Sequence, residues 1–291
     1  MDPATRRFDQ LRPSLQGIAY RMLGSNGEAE EVVQDAWLRW HATDPATLDN
    51  AEAWLVAVTT RLAIDRLRSA KLQREQYPGI WLPEPQLSEE PTPEEEAERA
   101  DDVSVAFLLL LERLTPEARA AFLLREVFDL DYDEVARSLE RSEAACRQLV
   151  HRARVQLREP RSRQVLPRQA QQQLLQRFVA VLGSGDIAAM KSLLAEDAVL
   201  LSDGGGKVSS LGKPLVGGEP IAKLYRGTHW RYGAGIRLEL ARLNGGWGLL
   251  RYIDGALESA QTFEIEGGRI SRIQVQRNPD KLAHIVAALG V

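Results

Sequence analysis

Arg147, His151 and Arg154 fall at i, i+4 and i+7 of one helical stretch, with Gln148 and Arg152 beside them. A row of hydrogen-bond donors therefore shares one side of that helix. Arginine can pair with guanine edges or with phosphate, and glutamine with adenine. A short helix from Tyr132 to Leu139 and a turn precede the stretch, and Ser142 is placed to cap it. That is the layout that seats a recognition helix in the DNA major groove. Leu149, Val150, Ala153 and Leu157 are left to face inward. An ordinary amphipathic helix with an arginine-rich outer side has the same pattern, so the row alone leaves both readings open.

Other chemistry finds less support. Asp197, Asp203, His229, Tyr232 and Asp254 offer acids and bases near the C-terminus, and a buried carboxyl of raised pKa can abstract a proton. No spacing singles out a pair among them. Gly204-Gly205-Gly206-Lys207 lacks the glycine spacing and the following hydroxyl of a phosphate-binding loop. Cys146 is the only cysteine, so neither an internal disulfide nor a thiolate metal site can be built. The expectation is a protein with no enzymatic activity, no cofactor and no metal.

The net charge is −4, from 37 Lys and Arg against 41 Asp and Glu, which taken whole argues against a nucleic-acid partner. The charges are segregated, however. Acid collects between Glu84 and Asp102 and base between Arg137 and Arg168. One block repels phosphate and the other attracts it, although two merely solvated faces would look the same. No apolar run approaches the roughly 20 residues of a membrane helix. The opening MDPATRRFDQ shows no secretory signal, and the expected location is the cytoplasm.

The length of 291 residues suits two or three domains. Phe8, Leu11, Leu15, Ile18, Ala19, Met22 and Leu23 recur at helical spacing, and Gly24-Ser25-Asn26-Gly27 breaks the pattern. A second helix carries Val32, Val33, Ala36, Trp37 and Trp40. His41 to Asn50, with Pro45, reads as a loop. Asn50 caps a third helix that ends in the basic stretch Arg66 to Lys71. Tyr77 to Pro93 is a linker, since Pro78, Pro83, Pro85, Pro91 and Pro93 favour extended chain. Ile80-Trp81-Leu82 is too apolar for a free linker, and this piece is expected to pack on something. Helices resume between Asp102 and Glu159, with Thr115 as a cap and Pro116 at a first helical position.

A second linker runs from Arg161 to Arg168, after which the pattern changes. Helical stretches near Gln171–Leu182 and Ile187–Leu194 precede alternating runs at Ile236–Leu243, Trp247–Ile253, Leu257–Ile265 and Ile270–Gln276. Gly245-Gly246 and Gly267-Gly268 are expected hairpin turns, and Lys281–Leu289 a closing helix. Helices followed by a strand meander make an α+β domain.

Two long segments carry a family resemblance. Leu114-Thr115-Pro116-Glu117-Ala118-Arg119-Ala120-Ala121-Phe122-Leu123-Leu124-Arg125-Glu126, then Tyr132-Asp133-Glu134-Val135-Ala136 and Ser142 to Arg154, closely resemble domain four of extracytoplasmic-function (ECF) sigma factors. The resemblance implies that this module reads the −35 promoter element and that Arg147, Gln148, His151, Arg152 and Arg154 contact bases or phosphates. The family often has glycine in the turn where this chain has Glu140, and a left-handed residue there would be strained. Glu28 to Trp40 resembles the helix by which sigma domain two grips the polymerase clamp, which implies polymerase contacts at Glu30, Glu31, Gln34, Asp35 and Leu38. Ala53 to Arg68 resembles the segment that melts and holds the −10 element. Melted DNA calls for a base pocket and basic side chains. Arg61 (often Asn in the family), Arg66, Arg68 and Lys71 would supply the charge, and Asn50 lies in the loop that would shape the pocket. Trp54 serves equally as core or as a stacking platform, and Asp65 is expected to pair with a neighbouring arginine.

Leu175 to Leu289 resembles a SnoaL-like domain, a cone of curved sheet and helices, on the strength of Leu194 to Lys207. With Trp81-Leu82-Pro83-Glu84-Pro85 and Asn278-Pro279-Asp280-Lys281, it points to the SigJ-like subgroup of sigma factors, in which this extra domain regulates the sigma modules in place of a separate anti-sigma protein. Trp81, Leu82 and Pro83 are then expected to dock against Asp203, Gly204, Gly205, Gly206 and Lys207, with Lys207 meeting the acidic linker.

The expected organisation is two all-α sigma modules at 1–76 and 102–160, the second a helix-turn-helix, joined by an acidic proline-rich linker at 77–101, with a linker at 161–169 and a SnoaL-like domain at 170–291. The expected partners are core RNA polymerase, promoter DNA and an unidentified small ligand in the cone. A helix-turn-helix regulator that needs no polymerase, and a SnoaL-like cyclase or isomerase fused to helices, are the alternative readings.

Overall fold

The structure is a computed structural model that describes residues 3–44, 47–88, 104–158 and 166–290, without the side chains of 71–73. Pro45, all of the acid from Glu89 to Asp102, Arg161, Arg163 and the Lys71 side chain lie outside the described residues. The chain divides into two compact units, one formed by Met1–Gln76 with Leu108–Glu159, the other by Tyr77–Phe107 with Pro160–Val291.

The first unit is helical. α1 (Pro3–Leu23), α2 (Asn26–His41) and α3 (Ala51–Glu75) pack together, and α5 (Pro116–Glu126), α6 (Tyr132–Leu139) and α7 (Glu143–Leu157) form a second group; α4 (Val105–Leu111) precedes it. Caps set the boundaries. The Ser25 side chain accepts from Glu28 N–H, Thr115 from Ala118 N–H with Pro116 in the first turn, and Ser142 from Ala145 N–H. An Asp131–Glu134 capping box starts α6. Each such cap stabilises its helix by about 1 kcal/mol. Only Gly24-Ser25 breaks the first helical run. Asn26 and Gly27 already belong to α2, because Ser25 supplies the cap. α3 continues beyond Lys71 to Glu75, where Arg74 donates to Glu112 at 2.6 Å and to the Leu23 carbonyl. The core holds Leu15, Ile18, Met22, Val32, Trp40 and Leu55, with the Trp40 indole N–H donating to Ala4 O at 3.0 Å.

Arg119 of α5 ties the two helical groups together. It is only 2% exposed and donates to the Met22 carbonyl of α1 at 2.7 Å and to Glu112 at 2.8 Å. Burial alone would raise the Glu112 pKa, yet the flanking Arg119 and Arg74 hold it below the ordinary carboxylate value.

The second unit carries α8 (Arg168–Ser184), α9 (Ile187–Leu193), α10 (Gly218–Tyr232) and α11 (Pro279–Leu289) around a six-stranded sheet. Its strands are β1 (Leu194–Asp203), β2 (Leu215–Val216), β3 (Ile236–Leu243), β4 (Gly246–Ile253), β5 (Ala256–Glu266) and β6 (Arg269–Gln276), in the order β2-β1-β6-β5-β4-β3. All neighbours are antiparallel except β1 and β6. The alternation along β4 separates two cores: Leu249 packs with Phe178, Met190, Ile221 and Ile273, while Leu250 packs with Leu243, Tyr252, Leu282 and Ile285.

The meander and closing helix fall where the alternation and the Asn278 cap place them. The β3–β4 turn is Asn244-Gly245, not Gly245-Gly246. Both its residues have positive φ, as do Asp254-Gly255 between β4 and β5, which is what a tight hairpin turn requires. β1, which follows α9 directly, and α10 were not expected from the sequence.

Candidate nucleic-acid interface and linker dock

α7 presents Arg147, Gln148, His151, Arg152 and Arg154 to solvent, while Cys146, Val150 and Ala153 are buried and Leu149 and Leu157 half-buried. The expected donor row therefore exists, but its members differ. Arg147 lies 4.2 Å over the Tyr132 ring and pairs with Glu143 at 3.0 Å, so its fork is pre-oriented. Arg154 is drawn back to α5, donating twice to Glu126 at 3.0 and 2.7 Å. The turn before α7 contains Glu140 in the left-handed conformation (φ 53°), as the departure from glycine foreshadowed. That costs about 1 kcal/mol relative to glycine.

On α3, Arg61 pairs with Glu140, and Arg68 donates to Asp65 at 3.0 Å and to Glu117 at 2.5 Å. The hydrogen bond from Arg68 holds Glu117 below the ordinary carboxylate pKa. Arg66 pairs with Glu31 and lies 3.8 Å from Glu28. The Asn50 side-chain oxygen is committed to capping α3, accepting from the N–H groups of Glu52 and Ala53 at 3.0 and 3.1 Å. Trp54 is half-buried against Trp40, with ring centroids 5.9 Å apart. On α2, Glu30, Glu31, Gln34, Asp35 and Leu38 are all exposed, Leu38 at 59%. An apolar side chain standing in water on an acidic ridge suits a partner surface.

The second unit gathers the linker. Asp203, at the end of β1, is fully buried and accepts from Tyr77 Oη (2.7 Å), Leu82 N (2.9 Å), Gly205 N (2.9 Å), Gln276 Nε2 (3.2 Å) and Lys281 Nζ (2.8 Å). Lys281 also donates to the Leu82 carbonyl at 2.7 Å and lies over the Tyr77 and Trp81 rings at 4.8 and 4.4 Å. Leu82 and Pro83 are buried, and Gln276 reaches both their carbonyls. Further along, Gln86 and Ser88 bond to the backbone at Arg242 and Asn244, and Leu87 bridges Leu243. The apolar linker segment thus packs as expected. The glycine loop allows it: a Cβ at Gly206 would sit 2.7 Å from Pro78 Cγ, and one at Gly205 would sit 2.2 Å from Asn278. Lys207 pairs with Asp280 at 2.5 Å, and the linker acid from Glu89 to Asp102 that it was expected to meet lies outside the described residues. Tyr77, Gln276 and Lys281 were absent from the expected contact. A buried aspartate demands donors, but no local spacing in the sequence reveals which distant residues supply them.

The profile of Sigma-70 region 2 matches residues 7–73, and that of Sigma-70 region 4 matches residues 104–157. The chain is 35% identical over 286 residues to the ECF RNA polymerase sigma factor SigJ of Mycobacterium tuberculosis, covering 94% of this chain and 91% of that protein. It is 31% identical to the probable ECF RNA polymerase sigma factor SigI of the same species, over 99% and 98% of the two chains. The crystal structure of SigJ superposes with a TM-score of 0.75 at 31% identity, covering 96% of this chain and 98% of that one. The chain is an ECF sigma factor.

As a sigma factor it binds core RNA polymerase and promoter DNA and promotes promoter-specific initiation of transcription, without catalysing a reaction itself. α1–α3 are its region 2 and α4–α7 its region 4. Of the five acids and bases considered near the C-terminus, Asp203 alone is buried, and its oxygens serve the linker dock. No helix among the described residues is long and apolar enough to cross a membrane.

Proposed function

We propose that this sigma factor is regulated by its own C-terminal domain, in the cytoplasm and without a separate anti-sigma protein, through the docked segment Tyr77–Ser88. The observation that carries this is the Asp203 cluster, which takes hold of the linker between region 2 and region 4 at Tyr77 and Leu82. A linker tied along Tyr77–Ser88 leaves less free chain between the two promoter-binding regions, so their accessible separations narrow. Arg147, Gln148, His151 and Arg152 are assigned to the −35 element, Arg61, Arg66, Arg68 and Lys71 to the −10 region with Asn50 at its pocket, and Glu30, Glu31, Gln34, Asp35 and Leu38 to the polymerase clamp.

Run-off transcription with purified core enzyme tests the proposal. Output from a cognate promoter should change at least severalfold on deletion of residues beyond 160 and, in the same direction, on Trp81→Ala in the full chain. Unaltered output from both would remove it.

A second reading concerns a ligand. A cavity of about 180 Å³ in the C-terminal domain is lined by Ser202, Ser210, Thr228, Arg251 and Arg277. Glu258 bridges the two guanidinium groups at 2.6 and 2.5 Å, leaving one positive charge over. A small monoanion such as a short carboxylate suits that space and charge. Calorimetric titration with isobutyrate against isobutyramide separates the two chemistries, and equal or absent binding would discard the anion.

A further inference from the structure

Glu140 occupies a position that sits in the left-handed region, yet it is not glycine. Its carboxylate pairs with Arg61 of α3, one of the arginines assigned to the −10 region. One helix away, Glu117 at the start of α5 receives Arg68, another of those arginines on the same helix. Beneath both, Arg119 fixes α5 to the end of α1 through the Met22 carbonyl and to Glu112, which also holds Arg74 at the end of α3. Region 4 thus applies two carboxylates to two of the region 2 arginines that the proposed function gives to promoter DNA.

We propose that Glu140 and Glu117 form a charge clasp that closes region 4 onto region 2 in the free sigma factor, occupying Arg61 and Arg68 until nucleic acid displaces the two carboxylates. The clasp rests on the assignment of Arg61 and Arg68 to promoter DNA, and it acts without the C-terminal domain. Two consequences follow from its geometry. The turn of the helix-turn-helix is held against α3 through Glu140, so region 4 cannot approach a distant −35 site while region 2 remains in place. The exchange is also electrostatic on both sides: carboxylate leaves guanidinium as phosphate arrives. The ion pairs are largely exposed, with side-chain exposures of 39% and 69% for Arg61 and Glu140, which keeps them weak enough to open. The backbone at Glu140 reinforces the assignment. A residue retained in a strained conformation where glycine would be relaxed points to a use for its side chain, and the only described partner of that carboxylate is Arg61.

The test uses the full chain and a fluorescein-labelled single-stranded DNA of mixed sequence at low salt, where phosphate contacts dominate affinity. The variant Glu140→Gly with Glu117→Gln removes both carboxylates, and glycine suits the turn. Its affinity is expected to rise at least fivefold over the parent. A matched loss of two acids elsewhere on the same unit, Asp9→Asn with Glu75→Gln, should give less than a twofold gain. In a background of Arg61→Gln with Arg68→Gln, the clasp substitutions should give no gain. Equal gains in the matched control or in that background would reduce the effect to net charge and overturn the clasp, as would an unchanged affinity. Spin labels at Gln10→Cys and Val155→Cys read the closure itself: the distance distribution should broaden to longer separations in the clasp variant. An unchanged distribution overturns the clasp even if α3 binds DNA. Absence of DNA binding by every form, with the distribution still broadening, would instead sink the assignment of α3 to promoter DNA.

Discussion

Lys281 Nζ stands 2.8 Å from Asp203 Oδ2 and 4.4 Å from the centre of the Trp81 ring. The buried ion pair of the C-terminal domain and the anchor of the sigma linker are therefore one contact. An isolated ammonium at that depth would be costly, and the same carboxylate that neutralises it also takes the Leu82 N–H and the Tyr77 hydroxyl.

Asp203→Asn should consequently do more than loosen a loop. Removing one partner of a buried pair costs about 3–5 kcal/mol, and here the loss falls on the dock. Hydrogen exchange of the full chain should show faster exchange across 77–88 and at the β1 and β6 ends, with region 2 and region 4 amides little changed. Retained protection at Leu82 would show that Lys281 and Gln276 hold the linker without the carboxylate.

Gly206→Ala offers a gentler probe. Its Cβ would meet Pro78 Cγ at 2.7 Å, whereas a Cβ at Gly255 meets nothing within 4 Å although φ is positive at both. Both alanines strain the backbone by about 1 kcal/mol. Only the first should reduce Leu82 amide protection, and equal loss in the two would trace the effect to general instability.

Acid and alkali should act on the linker from opposite sides. Burial, with the Asp203 hydrogen bond and charge behind it, pushes the Tyr77 hydroxyl well above its ordinary pKa. The folded form holds this proton more tightly than the unfolded chain, so the contribution is intact below pH ~10 and is lost as pH rises beyond it. Burial pulls His284 down, opposed by Glu84 and by the Pro85 backbone. Its contribution is intact above pH ~6.5 and is lost as pH falls through the depressed folded value. Denaturant midpoints measured against pH for the parent, Tyr77→Phe and His284→Asn check both signs. A variant whose profile parallels the parent on its own side would refute the assignment for that residue.

On α7 the donors should separate by role. Arg147→Ala is expected to cost about 1–3 kcal/mol and to relax specificity at one base pair. Arg152→Ala should weaken binding to all sequences and lower the salt slope by about 1. Arg154→Ala should instead act on stability, since its fork already belongs to Glu126. Band-shift titrations over a salt series, with thermal unfolding alongside, distinguish these outcomes.

Much of this architecture was written locally. The caps at Asn50, Thr115 and Ser142 and the meander from Ile236 to Gln276 could be read because each depends on residues a few positions apart. β1 escaped because its partner is β6, a parallel neighbour some seventy positions later, and because Glu196-Asp197 interrupts its apolar alternation. α10 escaped because Gly218, Pro220 and Gly227 lower its intrinsic helical preference, and burial of Ile221, Ala222 and Tyr225 overrides them. The arginines of α3 and α7 were visible as residue types. Their carboxylate partners Glu140, Glu117 and Glu126 were not, since ion pairs across tens of residues leave no spacing to read.

The parallel pairing of β1 with β6 also orders events at the ribosome. The Asp203 cluster is completed by Gln276 and Lys281, more than a hundred residues after region 4 ends at Leu157. At ordinary elongation speeds of ~5–20 residues per second, the nascent chain spends roughly ten seconds with both helical regions made and the linker still unanchored. Each newly made molecule therefore passes through a brief unrestrained period before its own tail closes the dock.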